Sequence, residues 1–373
     1  MNWVFLDFGG WDYDVSTPLS RPLGGSHSAL CYLAIELARA GQAVTVVTGL
    51  KGARNVNGVH CVPLDNLTTD VFRPADTIII VLNGPGDIAR QVQQQLSVRR
   101  PFILWTQHAY DQPAMASLRE SANLSMWDHF VCVSAWQKGT FEREFGIPPE
   151  KILILRNAIS PIFQNLFRDA AHLAEAKSGT LRLAYTSTPF RGLEYLAACF
   201  PPIFRRHPQC QLDVFSSMQV YGQPAAEDPF RPLYDQLRAS TGVVYRGSVS
   251  QTELARELTQ FSVLAYPNTF PETSCIAAME ALAAGLLVVT SDLGALPETC
   301  AGFGRLVPPV GPGRDLEPFV IDFAQTLDQV LCELEVNRPM VMQRLFDQSQ
   351  AINRTCTWNI RAQEWIQMAK AWL

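Results

Sequence analysis

The sequence has no apolar run near the roughly eighteen residues that a membrane-spanning helix needs, and it has no excess of positive charge. Thirty Lys and Arg against 35 Asp and Glu leave a formal net charge of -5, which excludes the basic footprint of a nucleic-acid binder. There is no CxxC pair. The nine cysteines, an odd number, are scattered through apparent strands and helices and read as buried free thiols of a reducing compartment. There is no basic leader: MNWVFLDF carries Asp7 and reads as a first strand, so the expected location is the cytoplasm. No GxGxxG follows the first strand of either half, which argues against a dinucleotide-dependent oxidoreductase. Asp12 and Asp14 have no ligand cluster beside them, and this carboxylate pair is not read as a metal site.

What is present describes a globular α/β chain. At 373 residues, 47% hydrophobic and 17% charged, it can hold two domains, each with its own core. The most informative stretch runs from Ser262 to Glu298. Val263 to Tyr266 reads as a buried strand emptying into Pro267 and Asn268. A helix follows, with Thr273 or Ser274 as cap, an apolar stripe of Ile276, Met279, Leu282 and Ala283, and Gly285 as its left-handed terminator. Leu286 to Thr290 then returns as a second strand, completing a parallel unit.

Two carboxylates mark this unit, Glu272 before the helix and Glu280 within it. If both were helical, about 12 Å of rise and roughly 80° of rotation would separate them. That exceeds the roughly 5 to 9.5 Å of paired glycosidase carboxylates, so a hydrolase dyad is disfavoured. Two spaced hydrogen-bond acceptors with a helix N-terminus between them suit a ligand carrying a phosphate. The plain alternative makes Glu272 a charge at the start of the helix and Glu280 a solvated face residue.

Trp3 to Phe8 is the expected first strand, and Gly24 and Gly25 open a helix through Leu30, Leu33 and Leu37 that Gly41 closes before a strand at Val44 to Thr48. Further strands are expected at Thr77 to Leu82, Pro101 to Thr106 and His129 to Val133. His108 follows the second of these at its carboxyl end, where open α/β sheets hold ligands. Ser134 reads as a helix cap and Asn157 as structural. Asn157 to Gly179 loosens into a polar interdomain linker. Leu181 to Tyr185 starts a second sheet, and Arg191, near the next helix start, can form a charge-assisted pair with a phosphate. Long helices are expected from about Leu316 and near Met340. A last helix, Trp358 to Trp372, carries Ile360, Trp365, Met368, Ala369 and Trp372 as apolar residues.

Glu272 to Glu280 resembles the EX7E motif of the retaining glycosyltransferases of family 4, and EALAAGLLVVTSDLGALPE is similar to that family's characteristic stretch. The first βαβ segment, from Gly24 to Gly49, and WTQHAYD around His108 look like the family as well. The resemblance implies the GT-B arrangement, two doubly wound Rossmann-like domains facing a central cleft. It divides the chain into an acceptor-side domain at 1–165, a nucleotide-sugar domain at 166–356, and a final helix at 357–373 that packs back on the first.

The implied reaction is metal-independent transfer of a sugar, of hexosyl type, from a nucleotide diphosphate donor to a saccharide, lipid-linked or other hydroxyl acceptor, with retention. It needs no cofactor, metal or nucleic acid, and it leaves peripheral membrane contact open. Glu272, His108 and Arg191 are the implied catalytic residues. Gly24, Gly25, Arg246, Gly247, Val249, Thr273, Ser274, Cys275, Ile276 and Glu280 are implied to hold the donor.

The sequence departs from the family in places. Thr273, Ser274 and Cys275 stand for the usual Gly-Phe-Gly, and His27 for a common Glu. Arg191 replaces the clamp Lys, and Thr186 or Ser187 occupies the place of the clamp Arg, which makes Arg246 a candidate substitute cation. An epimerase, a phosphorylase, or a nucleotide-sugar-binding protein without turnover are the alternative readings.

Overall fold

The computed structural model describes residues 1–84, 86–309 and 315–373, and the chain divides into two compact units. The first comprises 1–18, 25–158 and 358–373; the second comprises 19–24 and 159–357.

The first unit is built on eight strands: β1 (Asn2–Leu6), β2 (Ala43–Thr48), β3 (Arg54–Val56), β4 (Val59–Pro63), β5 (Thr77–Leu82), β6 (Phe102–Trp105), β7 (His129–Cys132) and β8 (Ile152–Ile154). Their order is β3-β4-β2-β1-β5-β6-β7-β8, all parallel except the β3–β4 pair. Residues of β1 and β5 are almost wholly buried, as expected of a parallel sheet covered on both faces. The hairpin β3–β4 turns at Asn57 and Gly58, both at positive φ (52° and 82°). That Asn-Gly pair is the strongest short-range hairpin signal a sequence carries.

The second unit holds β9 (Leu181–Tyr185), β10 (Cys210–Val214), β11 (Val243–Tyr245), β12 (Val263–Tyr266), β13 (Leu287–Ser291) and β14 (Arg305–Val307). Their order, β11-β10-β9-β12-β13-β14, is entirely parallel. Numbered within the unit this is 3-2-1-4-5-6, the dinucleotide-fold order, and the first unit repeats it once the β3 edge strand and the added β8 are set aside. In each sheet the connections reverse direction beside the first strand, between β1 and β5 and between β9 and β12. In open sheets of this order the loops at the carboxyl ends diverge at such a point, and the crevice between them is the usual ligand position.

The chain passes from the first unit to the second at 158–159, within the stretch expected to be a linker, but 159–179 is packed structure of the second unit. Asn157, Ile159, Phe163 and Leu173 are fully buried, and 170–176 is helical. Phe163, Phe167 and Leu173 of that segment join the second core, and even its polar Asn157, Ser160 and Lys177 are buried, so polarity is no guide to exposure here. The last helix, Trp358–Ala369, belongs to the first unit. Its buried face is Trp358, Arg361, Ala362, Trp365 and Ala369, without Ile360 or Met368. Trp365 packs edge-on against Trp105 at 5.1 Å and Trp3 at 6.2 Å between ring centres. Among the described residues no helix is long and apolar enough to cross a membrane.

Candidate functional site

In the second unit, the loops after β9, β12 and β13 converge on Glu272. Gly192, at φ +105°, lets the first loop lie against the second: a Cβ there would fall 1.9 Å from the Pro267 carbonyl oxygen. Gly294, at φ +66°, does the same for the third, because a Cβ would meet the Glu272 carbonyl oxygen at 2.4 Å. The Ala295 N–H donates to that carbonyl at 2.7 Å. Glu272 is thus fixed by backbone contacts from a neighbouring loop, which no spacing rule could show.

Its carboxylate is almost fully buried. Oε1 accepts from the Tyr266 hydroxyl at 2.5 Å and from Arg191. The Arg191 guanidinium lies 4.6 Å from the Phe270 ring centre and 5.5 Å from that of Phe190. Burial works against its charge, but Glu272 together with Tyr266 and Tyr221 outweighs burial and holds Arg191 well above its ordinary value. A solvated arginine is excluded. Four buried polar atoms near these strand ends, Thr186 Oγ1, Thr188 Oγ1, Arg191 Nε and Ser274 Oγ, lack a protein partner. Such orphans are uncommon in folded proteins and mark a place where a ligand would supply the missing bonds.

The helix begins later than expected, at Ile276, with Cys275 in the capping position and no side-chain cap. Neither Thr273 nor Ser274 performs that role, because the chain is still held in the Glu272 loop at those residues. Cys275 makes no side-chain cap on this helix start, and an uncapped helix N-terminus is a place that can take an anion. Cys275 is buried, and burial pushes its thiol well above the ordinary range, so it packs as a thiol.

Glu280 is buried too, which overturns the solvated-face reading. Its carboxylate accepts from the Ser160 N–H at 3.2 Å and from the Gln251 side chain. Burial nevertheless pushes its pKa up to about 8. The helix itself is apolar on nearly every side and buried from Ala278 to Ala283. Its end carbonyls are satisfied by Gln348, which donates to Leu282 and Leu286, by Ser349 to Ala283, and by Lys177 to Ala284. Gly285 terminates it at φ +66°.

Arg246 is already paired. Its Nε donates to Asp213 Oδ1 at 2.8 Å, and the buried Asp213 also receives Arg182 at 3.0 Å. Gly247 is left-handed at φ +69°, and Val249 packs against the core.

In the first unit the corresponding reversal point carries different groups. Asp7, at the end of β1, accepts from the Tyr13 hydroxyl at 2.7 Å and from the Gly9 N–H at 2.9 Å, and lies 3.4 Å from His27 Nε2. The His27 ring stacks on Trp11 at 4.5 Å and meets the edge of Tyr13 at 5.4 Å. Burial lowers its pKa against the pull of Asp7, and His108 lowers it further. His108 Nδ1 lies 2.8 Å from Gln112 Oε1, and its carbonyl accepts from Gln137 at 2.9 Å.

Gln137 is wholly buried and also binds Val133 and Thr106, so it is the residue that fixes the His108 loop. Ser134 caps its helix by accepting from the Gln137 N–H at 3.0 Å. Asn157 donates to Gln107. Gly25 opens helix Gly25–Arg39 in the first unit, whereas Gly24 belongs to the second. Asp14 accepts from Ser16 and pairs with Arg54 at 2.8 Å.

Residues 181–325 match the family model for glycosyl transferases group 1. Over 166 residues the chain is 28% identical to an uncharacterized glycosyltransferase of Methanocaldococcus jannaschii, a match that spans 41% of this chain and only 40% of that relative. In three dimensions the chain is similar to sucrose-phosphate synthase from Thermosynechococcus elongatus, with a TM-score of 0.71, 16% identity and coverage of 100% and 99% of the two chains. It is similar also to Anabaena HepE, solved in complex with UDP and glucose, with a TM-score of 0.66, 13% identity and full coverage of both chains. The fold is therefore that of the GT-B glycosyltransferases, and residues 181–325 match their group 1 domain.

Proposed function

We propose that this chain is a retaining glycosyltransferase that moves a sugar from a nucleotide diphosphate donor to a hydroxyl acceptor, without a catalytic metal. The observation that carries the reading is the Arg191–Glu272 pair at the reversal point of the second sheet, inside the group 1 match and just ahead of an uncapped helix start. As the glycosidic bond breaks, negative charge grows on the leaving diphosphate. Arg191 and the N–H groups at Cys275 and Ile276 offset it, with the Gly24-Gly25 backbone as a further donor set. Glu272 holds the transferred sugar. Glu280, whose pKa burial raises to about 8, offers the ribose an acceptor and, where it holds its proton, a donor as well.

His108 contacts the sugar near the reacting carbon, and the leaving phosphate takes the acceptor proton, so no protein nucleophile is required. Gly247 and Val249 present backbone to the base. Work in the cytoplasm on glycan or glycoconjugate precursors fits this chemistry. HepE, of the same fold and solved with UDP and glucose, supports uridine diphosphate as the first base to test.

A thermal-shift screen with uridine, guanosine and adenosine diphosphates selects the base, because preferential binding to the folded state raises the melting temperature. Incubation of the matching sugar nucleotides with saccharide and lipid-linked acceptors should then give a product of unchanged anomeric configuration. An inverted product overturns the retaining assignment. Conversion of the donor sugar without acceptor indicates an epimerase, dependence on inorganic phosphate a phosphorylase, and binding without turnover a sugar-nucleotide-binding protein.

A further inference from the structure

At the amino ends of β9 and β10, the opposite edge of the second sheet from Glu272, His207 ends helix Leu193–Arg206 and lies against helix Glu317–Val336. Its ring is buried, with 4% of the residue exposed. Each ring nitrogen faces a carboxylate: Nε2 is 3.0 Å from Asp328 Oδ1, and Nδ1 is 2.9 Å from Glu335 Oε1. A neutral imidazole has one N–H and one lone pair, so one of these contacts would set a lone pair against a carboxylate oxygen. The arrangement calls for a cation on that nitrogen, either a proton or a metal ion.

Cys332 distinguishes the two. It lies one turn from Asp328 along the same helix, and a His207 nitrogen, an Asp328 oxygen and the Cys332 sulfur all lie within 4.8 Å of one another. A protonated imidazole gains nothing from a thiol. A divalent cation of borderline softness takes nitrogen, oxygen and sulfur together.

We propose that His207, Asp328 and Cys332 bind a divalent metal ion of the zinc class, with Glu335 holding the imidazole in the tautomer that offers Nε2. The Nδ1–H then donates to Glu335, the carboxylate–histidine–metal arrangement that orients such ligands. Three protein ligands leave a fourth position for water. A cavity of about 530 Å³ lined by Glu335, Gln209 and Cys210 adjoins the cluster.

Tetrahedral zinc ligands lie roughly 3.5 Å apart, so His207 Nε2 and Asp328 Oδ1, now 3.0 Å apart, separate slightly when the ion enters, an adjustment open to side chains such as Asp328 and Cys332 that are only half-buried. Arg206 donates to the other Asp328 oxygen at 3.0 Å from a side chain that is 68% exposed. It lowers affinity without blocking the ligand atoms. On binding, the Cys332 S–H bond breaks, a sulfur–metal bond forms, and the proton passes to solvent. The ion would tie two helices of the second unit together, away from the sugar chemistry.

The full chain, treated with a chelator and titrated with Co²⁺, should bind one ion with thiolate-to-cobalt charge-transfer absorption. Zn²⁺ should displace it and raise the melting temperature. Cys332→Ser should abolish that absorption, and Glu335→Gln should weaken binding by about tenfold. His207→Asn should weaken it further; if that variant fails to fold, Cys332→Ser, at a half-buried position, carries the test. Absence of the band in the parent, or its survival in Cys332→Ser, overturns the site and leaves His207 as a clamp between two carboxylates.

Discussion

The two units share one strand order and differ in what they place at the reversal point. The second unit sets a cation against a buried carboxylate, Arg191 on Glu272, with the Tyr266 hydroxyl on the same oxygen. The first unit sets Asp7 against a tyrosine hydroxyl and a histidine that burial keeps neutral, with Trp11 stacked over the ring. The first pattern suits a diphosphate; the second suits hydroxyl groups and a sugar face. Topology determines where a ligand goes, and the side chains at that place determine which ligand it is.

The largest effect should come from removing the cation. Arg191→Ala is expected to lower turnover by about 10²- to 10³-fold, the usual loss for one charge-stabilising group, and to weaken nucleotide binding; an unchanged rate removes Arg191 from the site.

Glu272→Gln should lower turnover by about 10²-fold while tightening nucleoside diphosphate binding, because the guanidinium is released from its carboxylate partner. Titration calorimetry showing weaker diphosphate binding in this variant would break the assignment of Glu272 to the sugar. If the first unit serves the acceptor, His27→Asn should raise the acceptor KM about tenfold, the order expected for a lost buried hydrogen bond, and leave donor affinity unchanged. A change in donor affinity instead would erase the contrast between the two units.

The smallest effects are on stability, and they run in opposite directions with pH. Glu280 titrates near 8 in the fold against an ordinary 4.5. Between those values the unfolded chain has lost a proton that the folded chain keeps, so stability falls as pH rises from about 4.5 to about 8. His27, lowered from 6.5, binds its proton more readily when unfolded, so stability falls as pH drops below about 6.5. Melting temperatures across pH should lose the decline between about 4.5 and about 8 in Glu280→Gln, and the decline below about 6.5 in His27→Asn.

Much of the second unit could be read in the sequence. Val263 to Tyr266 and Leu181 to Tyr185 are strands as expected, and the helix after Glu272 ends at Gly285, because apolar runs bounded by turn residues are local signals. Short edge elements were harder. β14 spans three residues, too few for periodicity, and the β3–β4 hairpin was overlooked although Asn57-Gly58 announces it. The cap at Thr273 or Ser274 failed for a different reason: Gly294, more than twenty residues downstream, controls where the Glu272 loop lies.

The sequence by itself determined the alternation of strands and helices, the absence of a basic surface excess, and the spacing of Glu272 and Glu280, all of which depend on residues close together in the chain. Only the tertiary structure decided that Arg191 reaches Glu272, that Glu280 is buried with its pKa raised, and that His207 meets Asp328, Glu335 and Cys332. These pairings join residues about 80 to 130 positions apart, or depend on how much water surrounding segments exclude. Both follow from packing of the whole sheet and its covering helices, which no local pattern records.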